Sequence, residues 1–438
     1  MPFGVGTVEG WEFPWLRPVL TSGPMSESAM VREQGGWVLA GSIASATLGF
    51  AFWALAARLF RADAVGTAGS LVGLSSLATS IGILGLDNGF VRFASRVARP
   101  RTLLWELILI GGGLASIVGL ALSVAVLNAG HVDSGLFLAL VALTVILTTS
   151  QTTFQIMDAA ILAARKSQYL AFRAAAYGLS KIALLFALAG AGTPGLSAAY
   201  TLPLLVITIA SFLLVRRIWA QPQEGVPHSL RDLASLSAGN WLSGIAYSVP
   251  SRLGPPLMLI FLGPSPVAYF FIALQLAEVL NYIPESVSKS LYAHGSLRDK
   301  LPAALTSSMR RLLLVILLPL VVLGVALASL GMTIVGGTSY GAHGLALQLF
   351  LLATLPKAGV QLYKAQFNVD RRPIALIVLG SALGLSTLAF LVVGLVTGAS
   401  ADWLPLAWVL GGTLALGVGW LLSRSRAPGP RKSASAVD

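Results

Sequence analysis

Apolar runs long enough to cross a bilayer recur down the whole chain, separated only by short gaps of Gly, Pro and charged residues. A hydrocarbon core about 30 Å thick takes about 20 residues of helix, and in lipid every backbone N–H and C=O must find its partner inside the protein. Only helices or a closed barrel meet that demand, and hydrophobicity that is continuous rather than alternating selects helices. The runs read as about twelve spans, at 35–58, 64–86, 103–127, 136–162, 169–190, 195–215, 236–261, 267–289, 312–334, 343–367, 374–397 and 403–422. Composition agrees, since 56% of residues are hydrophobic and 11% charged, against about 25% charged in a soluble domain. The fold class expected is an all-α polytopic membrane protein.

A net charge of +12 would suggest nucleic acid in a soluble protein, but the basic residues here fall in the gaps. Even-numbered gaps hold Arg92, Arg96, Arg99 and Arg101, then Arg165, Lys166 and Arg173, then Arg216, Arg217 and Arg231, then Arg298, Lys300, Arg310 and Arg311, then Arg371 and Arg372. Odd gaps are nearly bare, with Arg58 and Arg61 in the first. Cytoplasmic loops carry the excess of Lys and Arg, so both termini are expected in the cytoplasm and no nucleic-acid partner is implied. The first thirty or so residues lack a basic stretch followed by an apolar one, so a signal peptide is not expected there; Trp11 and Trp15 suit the headgroup level.

Gly35-Gly36-Trp37 opens span one and Gly239-Asn240-Trp241 opens span seven, and each span ends at a short turn, ADAVGTAG and PSPVAYFF. The chain therefore divides into a cytoplasmic or interfacial lead (1–34), a first lobe of six spans (35–215), a cytoplasmic linker (216–235), a second lobe (236–422) and a basic cytoplasmic tail (423–438). Parallel repeats of this kind form transporters with the site at the repeat interface.

Enzymatic signatures are missing. Cysteine is absent, the four histidines (His131, His228, His294 and His343) are scattered, and no P-loop, HExxH or GxSxG sequence occurs. The outward loops are too short to house catalysis. Neither a catalytic role, nor a cofactor, nor a metal is expected.

Charges within spans are expensive and face the bundle interior or a wet cavity, which makes them functional candidates. Glu278, Glu285 and Lys289 share one stripe of span eight by their three- and four-residue spacing, and Lys357, Gln361 and Lys364 share one on span ten. Tyr177 and Lys181 lie on a stripe of span five with Arg173, and Asp158 ends a polar stripe on span four. Arg252 stands among Pro250, Gly254, Pro255 and Pro256, where span seven is expected to be bent or broken. Its guanidinium offers a fork of donors suited to phosphate oxygens. Each has a plainer reading: Lys289, Arg173 and Asp158 snorkelling to headgroups, Lys357 paired with the acid of span eight, Arg252 paired with an acid such as Glu278 or snorkelling outward.

The segment ARLFRADAVGTAGSLVGLSSLATSIGILGLDNGFVRFASR resembles the first helical hairpin of polysaccharide-lipid flippases, the O-antigen and exopolysaccharide translocases of the multidrug/oligosaccharidyl-lipid/polysaccharide exporter superfamily. Gly66, Gly85-Leu86 and Arg92 occupy the family's turn glycine, Gly-Leu pair and basic residue. NWLSGIAYSVPSRLGPPLMLIFLGPSPVAYFFIALQL resembles its seventh and eighth helices, except that Ser251-Arg252 replaces an acid-base pair and Ala268 replaces a turn glycine. The resemblance implies two six-helix lobes in a V around a central cavity, in a bacterial inner membrane. It implies a polyprenyl-pyrophosphate-linked oligosaccharide as cargo, with membrane lipids and other polysaccharide-assembly membrane proteins as partners. On that reading Arg252, Lys181, Lys357, Lys364 and Tyr177 are substrate-binding candidates, and Glu278, Glu285 and Asp158 ion-coupling candidates. A proton- or sodium-coupled multidrug exporter on the same fold, and a non-transporting membrane scaffold, are the alternatives.

Overall fold

The computed structural model describes residues 27–94, 97–130, 132, 134–219, 230–296 and 303–425, with side chains omitted at 27–32, 230–240, 289, 290, 292–296 and 303–306. Trp11, Trp15, the side chain of Lys289 and the tail from Arg426 onward lie outside the described residues. Among the described residues all regular elements of length are helices: α1 (Glu27–Leu59), α2 (Ala62–Ile83), α3 (Leu86–Phe93), α4 (Pro100–Ala129), α5 (Ser134–Ala163), α6 (Gln168–Ala187), α7 (Gly192–Ile218), α8 (Leu230–Leu262), α9 (Pro264–Ser296), α10 (Ala303–Ala326), α11 (Ala328–Gly336), α12 (Thr338–Gly341), α13 (Gly344–Val369), α14 (Pro373–Val396) and α15 (Leu406–Arg424). Twelve of them are long and apolar enough to cross a membrane; the short α3, α11 and α12 are not.

Two expectations are corrected. Span nine ends at Ala326 rather than 334, because the backbone leaves helical geometry at Leu327 (φ −99°, ψ 9°) and the remaining apolar residues form α11. Arg58 ties α11 down by donating to the carbonyls of Ile334 and Val335. Span seven is not broken: α8 is one helix through Pro250, Pro255 and Pro256. A proline deprives the carbonyl four residues earlier of its partner, which orphans Ala246, Ser251 and Arg252 here. Two of these carbonyls face a glycine on another helix, for a Cβ at Gly384 would sit 1.8 Å from the Ala246 oxygen and one at Gly73 2.7 Å from the Arg252 oxygen. Close Cα–H···O contacts and tight packing thus replace those two lost bonds.

Pairing within the two halves follows one scheme. α1 packs on α6 as α8 packs on α14, α5 on α7 as α13 on α15, and α6 on α7 as α14 on α15. The cores are distributed unevenly. Near the α1–α2 and α8–α9 turns both halves contribute to a single core, with Phe52, Trp53 and Val65 against Phe270, Phe271, Phe350 and Trp408. At the opposite end each half has its own, around Phe90, Met157 and Trp219 in the first and around Val360, Phe367 and Leu379 in the second. The halves are fused at one end and separately cored at the other.

Candidate functional site

The halves meet chiefly where α2 lies along α8 and α9. Small residues on α2 allow this. A Cβ at Gly66 would fall 1.9 Å from the Pro264 oxygen and 3.0 Å from the Ala268 nitrogen, and one at Gly69 would fall 2.9 Å from the Phe271 ring. Ser265 Oγ donates to Asp63 Oδ1 at 2.7 Å across a sequence separation of 202. Gly66 and Ala268, and Gly69 and Phe271, have that same separation. Equivalent registers of the two repeats therefore face one another, as in a two-fold, isologous contact. The sequence loss of the second turn glycine is explained here, because Ala268 supplies backbone to a groove that Gly66 opens.

Further along, Arg252 of α8 donates from Nη1 to the Ser76 carbonyl at 2.9 Å and to Ser80 Oγ, both on α2. Trp241 Nε1 donates to the Ser80 carbonyl at 2.7 Å. Arg252 is half-buried between the halves, and among the described residues no acid pairs with it. The alternative pair of Arg252 with Glu278 does not form, since Glu278 is bonded to Lys357. Trp37, the repeat counterpart of Trp241, instead stacks on Phe172 in its own half at 6.3 Å. The α8 side of the seam is bonded at this depth, while the α1 side turns inward on itself.

Glu278 pairs with Lys357, whose Nζ lies 3.0 Å from Oε1, so the plainer reading of that pair is the one realised. Around it Gln361 Nε2 donates to Tyr247 Oη at 2.9 Å, and the ammonium groups of Lys357 and Lys364 lie 5.7 and 5.1 Å from the Tyr247 ring centroid. Lys357, Tyr247, Pro250 and Ser251 line one small cavity, which places this cluster beside the stretch that carries Arg252. Glu285 lies two turns further along α9, half-buried.

In the first half, Lys181 is 4% exposed and held by rings rather than by an acid. Its Nζ lies 4.7, 5.0 and 5.2 Å from the centroids of Tyr177, Tyr200 and Phe52, within the range of cation–π attraction. Tyr177 in turn donates to the Tyr200 carbonyl at 3.2 Å. Asp158 forms an ion pair with Arg173, whose Nε donates to Ser211 Oγ at 2.8 Å and whose guanidinium covers the Phe154 ring at 3.8 Å. The candidates thus fall in three places: Arg252 on the seam, Lys357, Lys364, Glu278 and Glu285 within the second half, and Lys181, Tyr177 and Asp158 within the first.

Sequence reasoning did not single out Ser76, Ser80 or Tyr247. Ser76 and Ser80 carry a readable signal, two hydroxyls one turn apart on a helix of small residues. Tyr247 lies one turn before Ser251 but has no marker of its own in an apolar run.

No protein-family model matches the chain, and no curated protein matches its sequence. Solved structures do match in fold. An inward-facing multidrug resistance MATE family transporter of the MOP superfamily aligns over 87% of this chain and 93% of its own at TM-score 0.67 and 15% identity. Lipid II flippase MurJ in an inward closed conformation aligns over 88% and 87% at TM-score 0.68 and 12% identity. A eukaryotic MATE transporter aligns over 91% and 96% at TM-score 0.59 and 12% identity. The chain, with its twelve spans, shares its fold with these solved structures over the aligned residues.

Proposed function

We propose that this twelve-span chain is an alternating-access flippase that carries a polyprenyl-pyrophosphate-linked oligosaccharide from the inner to the outer leaflet for cell-surface polysaccharide synthesis. The observation that carries the reading is Arg252, a guanidinium on the seam between the halves that is held by a carbonyl and a hydroxyl on α2 rather than by an acid. Parting α2 from α8 breaks those two bonds and turns the donors toward whatever lies between the halves. A pyrophosphate is then the ligand that best meets a planar fork of donors. A cation at that depth also lowers the cost of moving the anionic headgroup through a low-dielectric space.

The surrounding charges support an anionic cargo. Lys364 lies 5.1 Å from the Tyr247 ring centroid, and Lys181 with Tyr177 adds a cation in the first half. Two of the three acids suited to cation coupling are already engaged, Asp158 with Arg173 and Glu278 with Lys357. That argues against the multidrug-exporter reading, which needs an acid free to exchange a proton or sodium ion. The side of the seam where Trp37 stays within its own half offers a path for a lipid tail that remains in the bilayer while the headgroup enters. With the basic gaps placed in the cytoplasm, the shared core closes the outer end.

The test is binding and translocation of a lipid-pyrophosphate oligosaccharide by the chain reconstituted in vesicles. Wild type binds and moves it, Arg252→Ala loses at least about tenfold in affinity, as one charged hydrogen-bonding group requires, and Arg252→Lys recovers part. Binding unchanged by Arg252→Ala overturns the assignment, and no binding by wild type overturns the function.

A further inference from the structure

Between α10 and α15, floored by α13, lies a groove of about 860 Å³. Leu313 and Leu317 of α10, Leu355 of α13 and Leu416 of α15 line its depth. Its residues come from those three helices and from Asp370, which caps α13, so it is separate from the seam of α2, α8 and α9 and from Arg252. Gly417 forms part of one wall with open space where a Cβ would stand, and Trp420 and Leu314 leave 44% and 53% of their surface exposed at its rim. In a membrane protein such a rim faces lipid.

One end is chemically different. Arg310, Gln366, Asp370 and Trp420 line the mouth, and Arg424 lies 3.8 Å over the Trp420 ring. Arg311 follows Arg310, and Arg371 and Arg372 follow Asp370. Among the described residues no carboxylate pairs with Arg310. The end thus presents Arg310 and one carboxylate in its lining, with Arg424 over the Trp420 ring beside it, while the bore is apolar.

Length narrows the occupant. From Gln366 and Asp370 to Leu355 along α13 is roughly 16 to 22 Å at the helical rise of 1.5 Å per residue, about one leaflet of a hydrocarbon core some 30 Å thick. A polyprenyl chain far exceeds that depth, whereas ordinary acyl chains match it. We propose that the groove between α10, α13 and α15 seats a resident anionic phospholipid of one leaflet, its acyl chain along Leu313, Leu317, Leu355 and Leu416 and its phosphate at Arg310. The site does not depend on the flippase reading, since it touches none of the residues that reading uses.

The experiment is native mass spectrometry of the full chain, delipidated in detergent and titrated with phosphatidylglycerol or with phosphatidylcholine of the same chain length. Phosphatidylglycerol is expected to be retained in preference to phosphatidylcholine. Arg310→Gln, at an exposed side chain, lowers its retention about fivefold, the worth of one cation at a membrane surface, and leaves phosphatidylcholine unaffected. Gly417→Phe fills the groove and lowers retention of both lipids, with size-exclusion and thermal melts confirming the fold of each variant. Equal retention of the two lipids, or indifference of phosphatidylglycerol to Arg310→Gln, overturns the proposal. Displacement of phosphatidylglycerol by a polyprenyl phosphate with the same Arg310 dependence overturns the choice of lipid.

Discussion

Arg252 and Lys357 show two ways of keeping a cation at membrane depth. Lys357 has an acid 3.0 Å away and is 16% exposed, so its charge is neutralised within the second half. Arg252 donates from Nη1 to a carbonyl and a hydroxyl, which engage that nitrogen without cancelling the charge. The difference has a measurable consequence. Lys357→Gln strands the Glu278 carboxylate and is expected to lower stability by about 1–3 kcal/mol, less than for a fully buried pair because Glu278 is 37% exposed. Thermal unfolding of the double variant Lys357→Gln/Glu278→Gln should recover most of that loss; a double variant as unstable as the sum of the singles would mean the two groups act independently. Spacing in the sequence placed Lys357, Gln361 and Lys364 on one helix face, but which helix that face meets is a matter of packing.

At the scale of an element, α8 demonstrates why prolines alone do not predict a break. Pro250 and Pro256 each free a carbonyl, and helices α14 and α2 bring Gly384 and Gly73 against those oxygens. The helix survives because its neighbours have no side chains there. Gly384→Ala should therefore lower the melting temperature by several degrees, in line with roughly 1–3 kcal/mol for overpacking, since its Cβ would meet the Ala246 oxygen at 1.8 Å. Gly417→Ala, with open space at its Cβ, serves as the control and should leave the melt unchanged. Equal effects of the two would mean that the contact at Ala246 carries no weight. A sequence displays the prolines and the glycines separately; their complementarity spans 134 residues from Pro250 to Gly384 and 183 from Gly73 to Pro256, and belongs to the fold.

For the whole molecule, the consequential asymmetry is that both halves share a core at one end only. Rocking about that seam requires the contacts between Asp63, Gly66 and Gly69 of α2 and their partners on α9 to separate. The chain has no cysteine, so an introduced pair reads without background. Asp63→Cys with Ser265→Cys, whose present side chains hydrogen-bond at 2.7 Å, is expected to form a disulfide that arrests transport. On the orientation expected from the charge map, with this end outward, a membrane-impermeant reductant added outside should restore it. Transport that persists with the disulfide intact would show that the seam does not open, and restoration only from the inside would reverse the orientation.

Twelve spans, the charge alternation and the paired stripes of polar residues follow from the sequence alone, because the bilayer imposes length, apolarity and charge placement on each segment without reference to its neighbours. The repeat was likewise legible at its ends, in the two Trp-bearing openings and the two short turns. Only the tertiary structure decided that Arg252 answers to Ser76 and Ser80, that Asp158 answers to Arg173, and that residues 202 positions apart meet across the halves. Those pairings depend on which helix faces which, and lipid, being as apolar as the helices, leaves that choice to close packing and hydrogen bonding between residues far apart in the chain.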